Sequence, residues 1–426
     1  MSTRKALEAS QWWNATDLER LRVDRLRNFL GEIARRVPYY RRLFGECGLE
    51  PNQIASIADL RRIPFLTKPL IRAHLEELKA EDAIGLRRYN TGGSSGEPLV
   101  FYIGKDRVSH DVAAKWRATR WWGVDIGDRE IVVWGSPIEL GTQDRMRQLR
   151  DEILRTRLLP AFDFSKENLD KFVSQIRALR PRMLFGYPSS LALIAQHAED
   201  NRIRMDDLGI RVAFVTSEML YDHQRSKIAR IFGCRVANGY GGRDAGFIAH
   251  ECPEGGMHIA AEDIIVETIN DSGSALPPGE AGEIVVTHLA TRDFPLVRYR
   301  TGDMGILDDR RCACGRGLPL LKEIQGRDTD FVVAANGTVM HGLALIYVLR
   351  DLPGIARFKI VQESATCTRV LVVPAEGFGE TQVKAIVHGL KARLGENVEI
   401  CVEQVAEIPL ERSGKFRYVV SRVVRT

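Results

Sequence analysis

A chain of 426 residues is too long for one ordinary core and is expected to divide into two or three domains, each able to bury an apolar interior. Its 61 basic and 56 acidic residues leave a net charge of only +5 with no long basic run, so charge gives nucleic-acid binding no support. No apolar run is long enough to span a bilayer, the first residues lack the apolar core of an export signal, and seven cysteines read as reduced thiols or metal ligands; a cytoplasmic protein with no membrane partner is expected.

Residues 16–45 place Leu18, Leu21, Val23, Leu26, Leu30, Ile33 and Val37 at helical spacing and close on Pro38-Tyr39-Tyr40. A second charged stretch, 66–82, reads as helix, with Thr67 as N-cap and Pro69 in the first turn. Residues 89–101, YNTGGSSGEPLVF, then set small polar residues between two apolar runs. Gly92, Gly93 and Gly96 free the backbone to turn N–H groups toward an anion, and Thr91, Ser94 and Ser95 add hydroxyls. The common P-loop needs Lys and then Ser or Thr after its last glycine, whereas Gly96 is followed by Glu97 and Pro98. Two readings stand: a different phosphate-holding loop, or a Gly/Ser hairpin between strands.

A helix is expected over 109–121 and a buried strand over 130–134, EIVVW. Trp116, Trp121 and Trp122 either line a pocket or, as aromatic clusters more often do, fill the core. From 167 to 240, helices (167–179, 189–200, 221–232) alternate with strands (183–185, 212–215, 235–237), the order of a parallel sheet wrapped by helices. The loops 185–190, 215–219 and 238–244 follow those strands at the carboxyl edge, where open α/β folds bind ligands. They are expected to form one crevice. After 258 the texture turns to β segments (264–268, 283–287) separated by Asn270-Asp271-Ser272-Gly273 and Pro277-Pro278-Gly279-Glu280 turns. Beyond 330 a small α+β pattern follows, with strands near 331–334, 356–362, 369–373 and 398–403 and a helix over 380–394; a hinge is placed near 327–330.

The glycine-rich loop, Ser217-Glu218, residues 238–244, Tyr299-Arg300-Thr301-Gly302-Asp303, Gly326-Arg327 and Ser413-Gly414-Lys415, in that order, resemble an adenylate-forming enzyme of the acyl-CoA synthetase superfamily. Val37-Pro38-Tyr39-Tyr40 and Ile63-Pro64-Phe65-Leu66-Thr67-Lys68 are similar to its phenylacetate–CoA ligase-like branch, which includes capsule-polysaccharide-type relatives. The resemblance runs from about residue 20 to the end of the chain. It implies an α/β fold: a large N-terminal adenylation domain (1–327) with helix-wrapped parallel sheets and a β-rich subdomain, and a small mobile α+β C-terminal domain (328–426). It also implies a two-step reaction in which a small carboxylic acid attacks the α-phosphate of ATP, releasing pyrophosphate, and the acyl group then passes to the thiol of CoA.

The resemblance assigns roles. Thr91, Gly92, Gly93, Ser94, Ser95 and Gly96 would cradle the β- and γ-phosphates with Mg2+ bridging oxygens, and Tyr240, within the run Asn238, Gly239, Tyr240, Gly241, would flank the adenine with Ser217 and Glu218 nearby. Asp244 stands where most relatives carry Glu; the shorter arm keeps the charge, with Mg2+ held through water. Asp303 would accept both ribose hydroxyls. Lys415, a compact cation on a flexible stem, would reach the α-phosphate and the attacking carboxylate; outside this context a lysine in a Ser-Gly turn is a solvated one. Arg327 would contact ribose or α-phosphate, or pair with Asp328 or Asp330. The acid pocket would draw on Trp134, Tyr187, Pro188 and 239–242, and an aryl acid is expected.

Cys252, His258, Cys312 and Cys314 form a separate constellation, three thiols and an imidazole suited to a tetrahedral structural Zn2+. Against it, the Cys-x-Cys gap is shorter than the usual spacing, and His258 has an alternative place in the substrate pocket. Cys47, Cys234, Cys367 and Cys401 read as isolated buried thiols, and His110, His197, His223 and His250 as core or surface residues. An ionised carboxylate needs no general base to attack phosphorus. Two rival functions remain: a ligase delivering the acyl group to an amine or carrier-protein thiol, and a nucleotide-binding regulator without turnover, which only Asp244 favours. A homodimer is compatible with either.

Overall fold

The computed structural model describes residues 2–90, 99–134, 151–161, 164–218, 220–270, 272–324, 331–350, 352–408 and 418–423. After helix α1 (Ser2–Ser10), α2 (Ala15–Arg36) begins where Asn14 accepts the Asp17 N–H at 2.9 Å. It ends at Val37, held extended (φ −114°, ψ 111°) by the proline that follows, and Pro38 opens α3 (Pro38–Cys47). Thr67 caps α4 (Lys68–Ala73) through the Leu70 N–H, but this helix is far shorter than the 66–82 expected. Its continuation runs on as turns to residue 78, from which Leu75 and Leu78 still pack into the core.

Strands β1 (Arg87–Asn90) and β2 (Val100–Ile103) pair antiparallel, with Asn90 opposite Val100, and α5 (Lys105–Arg120) follows. Next come β3 (Glu130–Trp134), β4 (Thr156–Pro160), α6 (Lys166–Leu179), β5 (Met183–Gly186), α7 (Pro188–Asp200), β6 (Val212–Thr216), α8 (Asp222–Phe232) and β7 (Arg235–Gly242). All residues of β5 and β6 are buried, because helices cover both faces of a parallel sheet and leave no polar side. Six strands complete this part of the chain: β8 (Gly246–Glu251), β9 (Met257–Ile259), β10 (Ile264–Ile269), β11 (Ala281–His288), β12 (Leu296–Asp308) and β13 (Leu320–Ile324).

The parallel and β-rich parts are one sheet. Its eleven strands run β10-β11-β12-β13-β9-β8-β7-β6-β5-β3-β4, parallel from β4 to β7 and antiparallel from β7 onward. The change of direction falls at the tight β7–β8 turn, where Gly246 adopts φ +88°. The helix-wrapped parallel strands and the β-rich segment expected from the sequence are both present, joined edge to edge.

In the C-terminal part, β14 (Phe331–Val333) and β15 (Val339–His341) form a ribbon, followed by α9 (Leu343–Arg350). Strands β16 (Ile355–Ser364), β17 (Cys367–Pro374), β18 (Glu399–Gln404) and β19 (Val419–Ser421) make a second sheet in the order β18-β17-β16-β19, with α10 (Glu380–Leu394) between β17 and β18. Its core of Phe358, Ile360, Val370, Val372, Ile386 and Leu390 draws only on residues from Val332 onward among those described. No described helix is long and apolar enough to cross a membrane.

Candidate active site

The carboxyl ends of β5, β6 and β7 lie side by side, with Gly186 opposite Val215 and Thr216 opposite Gly239, so the loops after them share one edge. Ser217 sits in the left-handed region (φ +73°), a conformation that costs a non-glycine residue about 1 kcal/mol or more and marks a constrained turn. Beside it Glu218 accepts from the Ser189 hydroxyl. Tyr187 stacks on Trp134 with centroids 4.4 Å apart and planes 21° from parallel; Trp134 in turn meets Phe185 at 5.9 Å, and Phe185 meets Phe214 at 6.0 Å. Trp122 packs in the core with Phe185 and Phe214, and Trp116 is buried as well, in line with the plainer reading of both.

Two reciprocal hydrogen bonds join the end of β7 to β12. The Tyr240 hydroxyl donates to Asp303 Oδ2 at 3.1 Å, and the Tyr299 hydroxyl donates to Asp244 Oδ2 at 2.6 Å. Gly241 lets β7 and β8 pair closely before that edge, since a Cβ there would lie 2.1 Å from the Gly246 carbonyl. Asp303 is held by its own N–H, which donates to Thr301 Oγ1 at 3.1 Å, while the Thr301 hydroxyl donates to the Ile284 carbonyl at 2.8 Å. Burial, reinforced by the Asp303 charge, pushes the Tyr240 phenol well above its ordinary range, so it stays a donor. The buried Arg107 donates Nη1 to the Asp244 carbonyl at 3.0 Å and Nε to Asp111 Oδ2 at 2.8 Å. Arg243 Nη1 reaches the Asn90 carbonyl at 3.3 Å, tying the start of the glycine-rich segment to this edge.

Of the residues singled out, Ser217, Glu218, Asn238, Gly239, Tyr240, Gly241, Asp244 and Asp303 therefore share one edge, with the Asn238 N–H anchored on Glu251 Oε2 at 2.7 Å. Thr91, Gly92, Gly93, Ser94, Ser95, Gly96, Arg327 and Lys415 lie outside the described residues. The flanks of the glycine-rich segment do pair as a hairpin, a backbone common to both readings of it. Sequence reading gave no role to Tyr299, Arg107 or Asp111. Tyr299 stood inside a quoted motif, but Arg107 and Asp111 look like an ordinary surface pair at helical spacing.

The ligand atoms of Cys252, His258, Cys312 and Cys314 all lie within 4.8 Å of one another. Cys252 and Cys312 Sγ are 3.5 Å apart, and Cys314 Sγ is 3.2 Å from His258 Nε2. His258 Nδ1 faces the Leu318 carbonyl at 3.3 Å and must donate to it, which leaves the Nε2 lone pair aimed at the thiols, the tautomer a metal-bound imidazole requires. Gly256 is needed for this closure, since a Cβ there would stand 2.6 Å from Cys312 Sγ. Arg316 lies between the rings of Trp12 (4.8 Å) and Trp121 (4.5 Å), and the Gly317 N–H donates to the Gln11 carbonyl at 2.9 Å, so the cysteine turn is tied to the segment after α1.

A second group, His110, Asp111 and His288, has both imidazoles buried but is less suited to a cation. His288 Nδ1 accepts the Ala290 N–H at 3.3 Å, so Nε2 carries the proton, and Arg107 already holds the Asp111 carboxylate. His197 pairs with Asp170 at 2.7 Å, and His250 is buried against Phe247. Cys367 and Cys401 correct an expectation: they are neither isolated nor fully buried, but lie near each other and Glu399 on adjacent strands.

A family model described as the CapK C-terminal domain matches residues 332–422. Over 411 residues the chain is 25% identical to protein CapK of Staphylococcus aureus, covering 96% of this chain and 90% of that protein. Phenylacetate-coenzyme A ligase of Thermus thermophilus is 27% identical over 349 residues, covering 79% of this chain and 76% of the relative. Along most of its length the chain is thus similar to protein CapK and to phenylacetate-CoA ligases, and residues 332–422 match the CapK C-terminal domain. A solved 2-hydroxyisobutyryl-CoA ligase, crystallised with 2-HIB-AMP and CoA, superposes on this chain with a TM-score of 0.71 at 20% identity, over 97% of this chain and 91% of the other, and so shares its fold.

Proposed function

We propose that this enzyme condenses a small carboxylic acid with ATP to an acyl-adenylate and then transfers the acyl group to CoA. In the first step a carboxylate oxygen bonds to the α-phosphorus and pyrophosphate leaves with the electron pair of the broken P–O bond. In the second the CoA thiolate attacks the acyl carbon, and AMP leaves. The observation that carries the reading is the convergence of Tyr240, Asp303, Tyr299 and Asp244 at the carboxyl edge of β7, next to an aromatic row ending at Tyr187. An aryl acid suits that row, because the Trp134–Tyr187 stack offers a flat apolar wall.

Asp303 would accept the ribose hydroxyls, and Tyr240 would lie along the adenine while keeping Asp303 in place. Asp244, a hard oxygen donor at the same edge, fits Mg2+, which when bound neutralises phosphate charge as two anions approach. Residues 91–96 would supply N–H and hydroxyl donors to the outer phosphates, Arg327 at the hinge would contact the ribose or α-phosphate, and Lys415 would bring positive charge to the α-phosphate from the C-terminal part, residues 328–426, acting as a mobile domain. A cytoplasmic setting agrees with these substrates. The Cys252, His258, Cys312 and Cys314 cluster fits a structural Zn2+ that joins β9 to the segment after β12.

Pyrophosphate exchange across a panel of aryl and aliphatic acids, followed by mass detection of a CoA thioester, tests both steps. Acid-dependent exchange without thioester would move the acceptor to an amine or carrier-protein thiol. No exchange with any acid would leave a nucleotide-binding regulator.

A further inference from the structure

Resting on that reading of the site, we propose that Tyr299 is a positioning residue for Asp244, its hydroxyl fixing where this carboxylate stands toward the metal–nucleotide. Asp244 is one methylene shorter than the glutamate usual at its place, and a free aspartate there would sample several rotamers. Here its two oxygens are both assigned. Oδ2 accepts from Tyr299 at 2.6 Å, and Oδ1 accepts the N–H of Ala245 at 3.0 Å. The short contact is that of a hydroxyl on an anion, roughly twice as strong as a neutral hydrogen bond.

The donor is rigid. Tyr299 is fully buried and pinned on both sides, with the Leu66 N–H donating to the Arg298 carbonyl at 3.0 Å and the Arg300 N–H to the Leu66 carbonyl at 3.0 Å. Arg298 adopts φ +47° and is held by Glu267 through two bonds of 3.1 Å and by the Ile63 carbonyl at 2.8 Å. That clamp sets the direction in which Tyr299 leaves the strand. On the other side Arg107 fixes the Asp244 carbonyl, so backbone and carboxylate are located by separate donors. The same carboxylate can still offer lone pairs to a cation or its water, since each oxygen accepts more than one bond.

The test compares wild type, Tyr299→Phe, Asp244→Ala, the double variant and Asp244→Glu. It uses Mn2+–ATP binding by electron paramagnetic resonance and the Mg2+ dependence of pyrophosphate exchange. Losing a hydrogen bond to a charged group should weaken Mn2+–ATP binding about tenfold in Tyr299→Phe and raise the half-saturating Mg2+ alike, with a smaller fall in kcat at saturation. In the Asp244→Ala background the same change should add nothing. Asp244→Glu should bind about tenfold more weakly, because the longer arm cannot keep the 2.6 Å contact. Unchanged Mn2+–ATP affinity in Tyr299→Phe, an equal loss in the Asp244→Ala background, or tighter binding by Asp244→Glu would each overturn the assignment. Wild type that exchanges no pyrophosphate, yet shows the coupled binding loss, would sink the adenylation reading and leave this one standing.

Discussion

Tyr240 and Asp303 are 63 residues apart in sequence, yet the phenol of the first donates to the carboxylate of the second at 3.1 Å, with the ring buried behind it. The bond keeps one carboxylate oxygen pointed at the site before any ligand arrives. Tyr240→Phe should raise the KM for ATP about fivefold, in line with the loss of one hydrogen bond, and leave the KM for the acid unchanged. Asp303→Ala should raise it further, by about a hundredfold, because both ribose contacts go with the carboxylate. Exchange kinetics at varied ATP decide the matter, and a shift in the acid KM alone would place the pair elsewhere.

Lys415 carries the first step in this reading. Its replacement by Ala should cut acid-dependent pyrophosphate exchange by roughly two or more orders of magnitude, the loss expected when one cation no longer offsets two approaching anions. Thioester formation from chemically prepared acyl-adenylate should suffer much less. Near-normal exchange by the variant removes Lys415 from the mechanism.

The alternation from 167 to 240 was plain in the sequence because β5 and β6 are apolar on both faces and their helices carry a stripe, so periodicity reports burial directly. The cap at Thr67 was equally readable, but the length of the helix behind it was not, since Leu75 and Leu78 reach the core from turns as they would from a helix. How the parallel strands join the β-rich segment is less legible, because β9 has only three residues and β8 follows a glycine turn, a pattern that reads as loop. Motifs named Tyr240, Asp244 and Asp303 individually; the Tyr240–Asp303 and Tyr299–Asp244 pairings depend on where β12 lies relative to β7, which spacing along the chain does not encode. The four-ligand cluster was legible from residue types, whereas the tautomer of His258 needed the Leu318 carbonyl.

Protein purified without added zinc should carry about one equivalent of metal, the stoichiometry of one Cys3His site. Less than about half an equivalent defeats the assignment. Cys312→Ser with Cys314→Ser should abolish the metal and lower the unfolding temperature. Because Arg316 is held between Trp12 and Trp121 next to this cluster, chelation should also shift tryptophan emission. Activity at low temperature should survive, since the cluster belongs to β9 and the loop before β13 rather than to the Tyr240–Asp303 edge.

His250 and His288 are fully buried, and burial, the largest cause for each, lowers their pKa from 6.5 to about 3. The unfolded chain takes up these protons near pH 6.5 while the native state refuses them down to about 3, so stability is complete above pH 6.5 and lost as pH falls through that window. Each histidine contributes a slope of about 1.4 kcal/mol per pH unit inside the window. Urea midpoints at several pH values should therefore fall steeply below neutrality. His250→Phe, which keeps an aromatic ring against Phe214 and Phe247, should flatten the slope by about that one-histidine amount. An unchanged slope in this variant would mean that His250 is protonated in the folded protein and that its surroundings are wetter than the packing indicates.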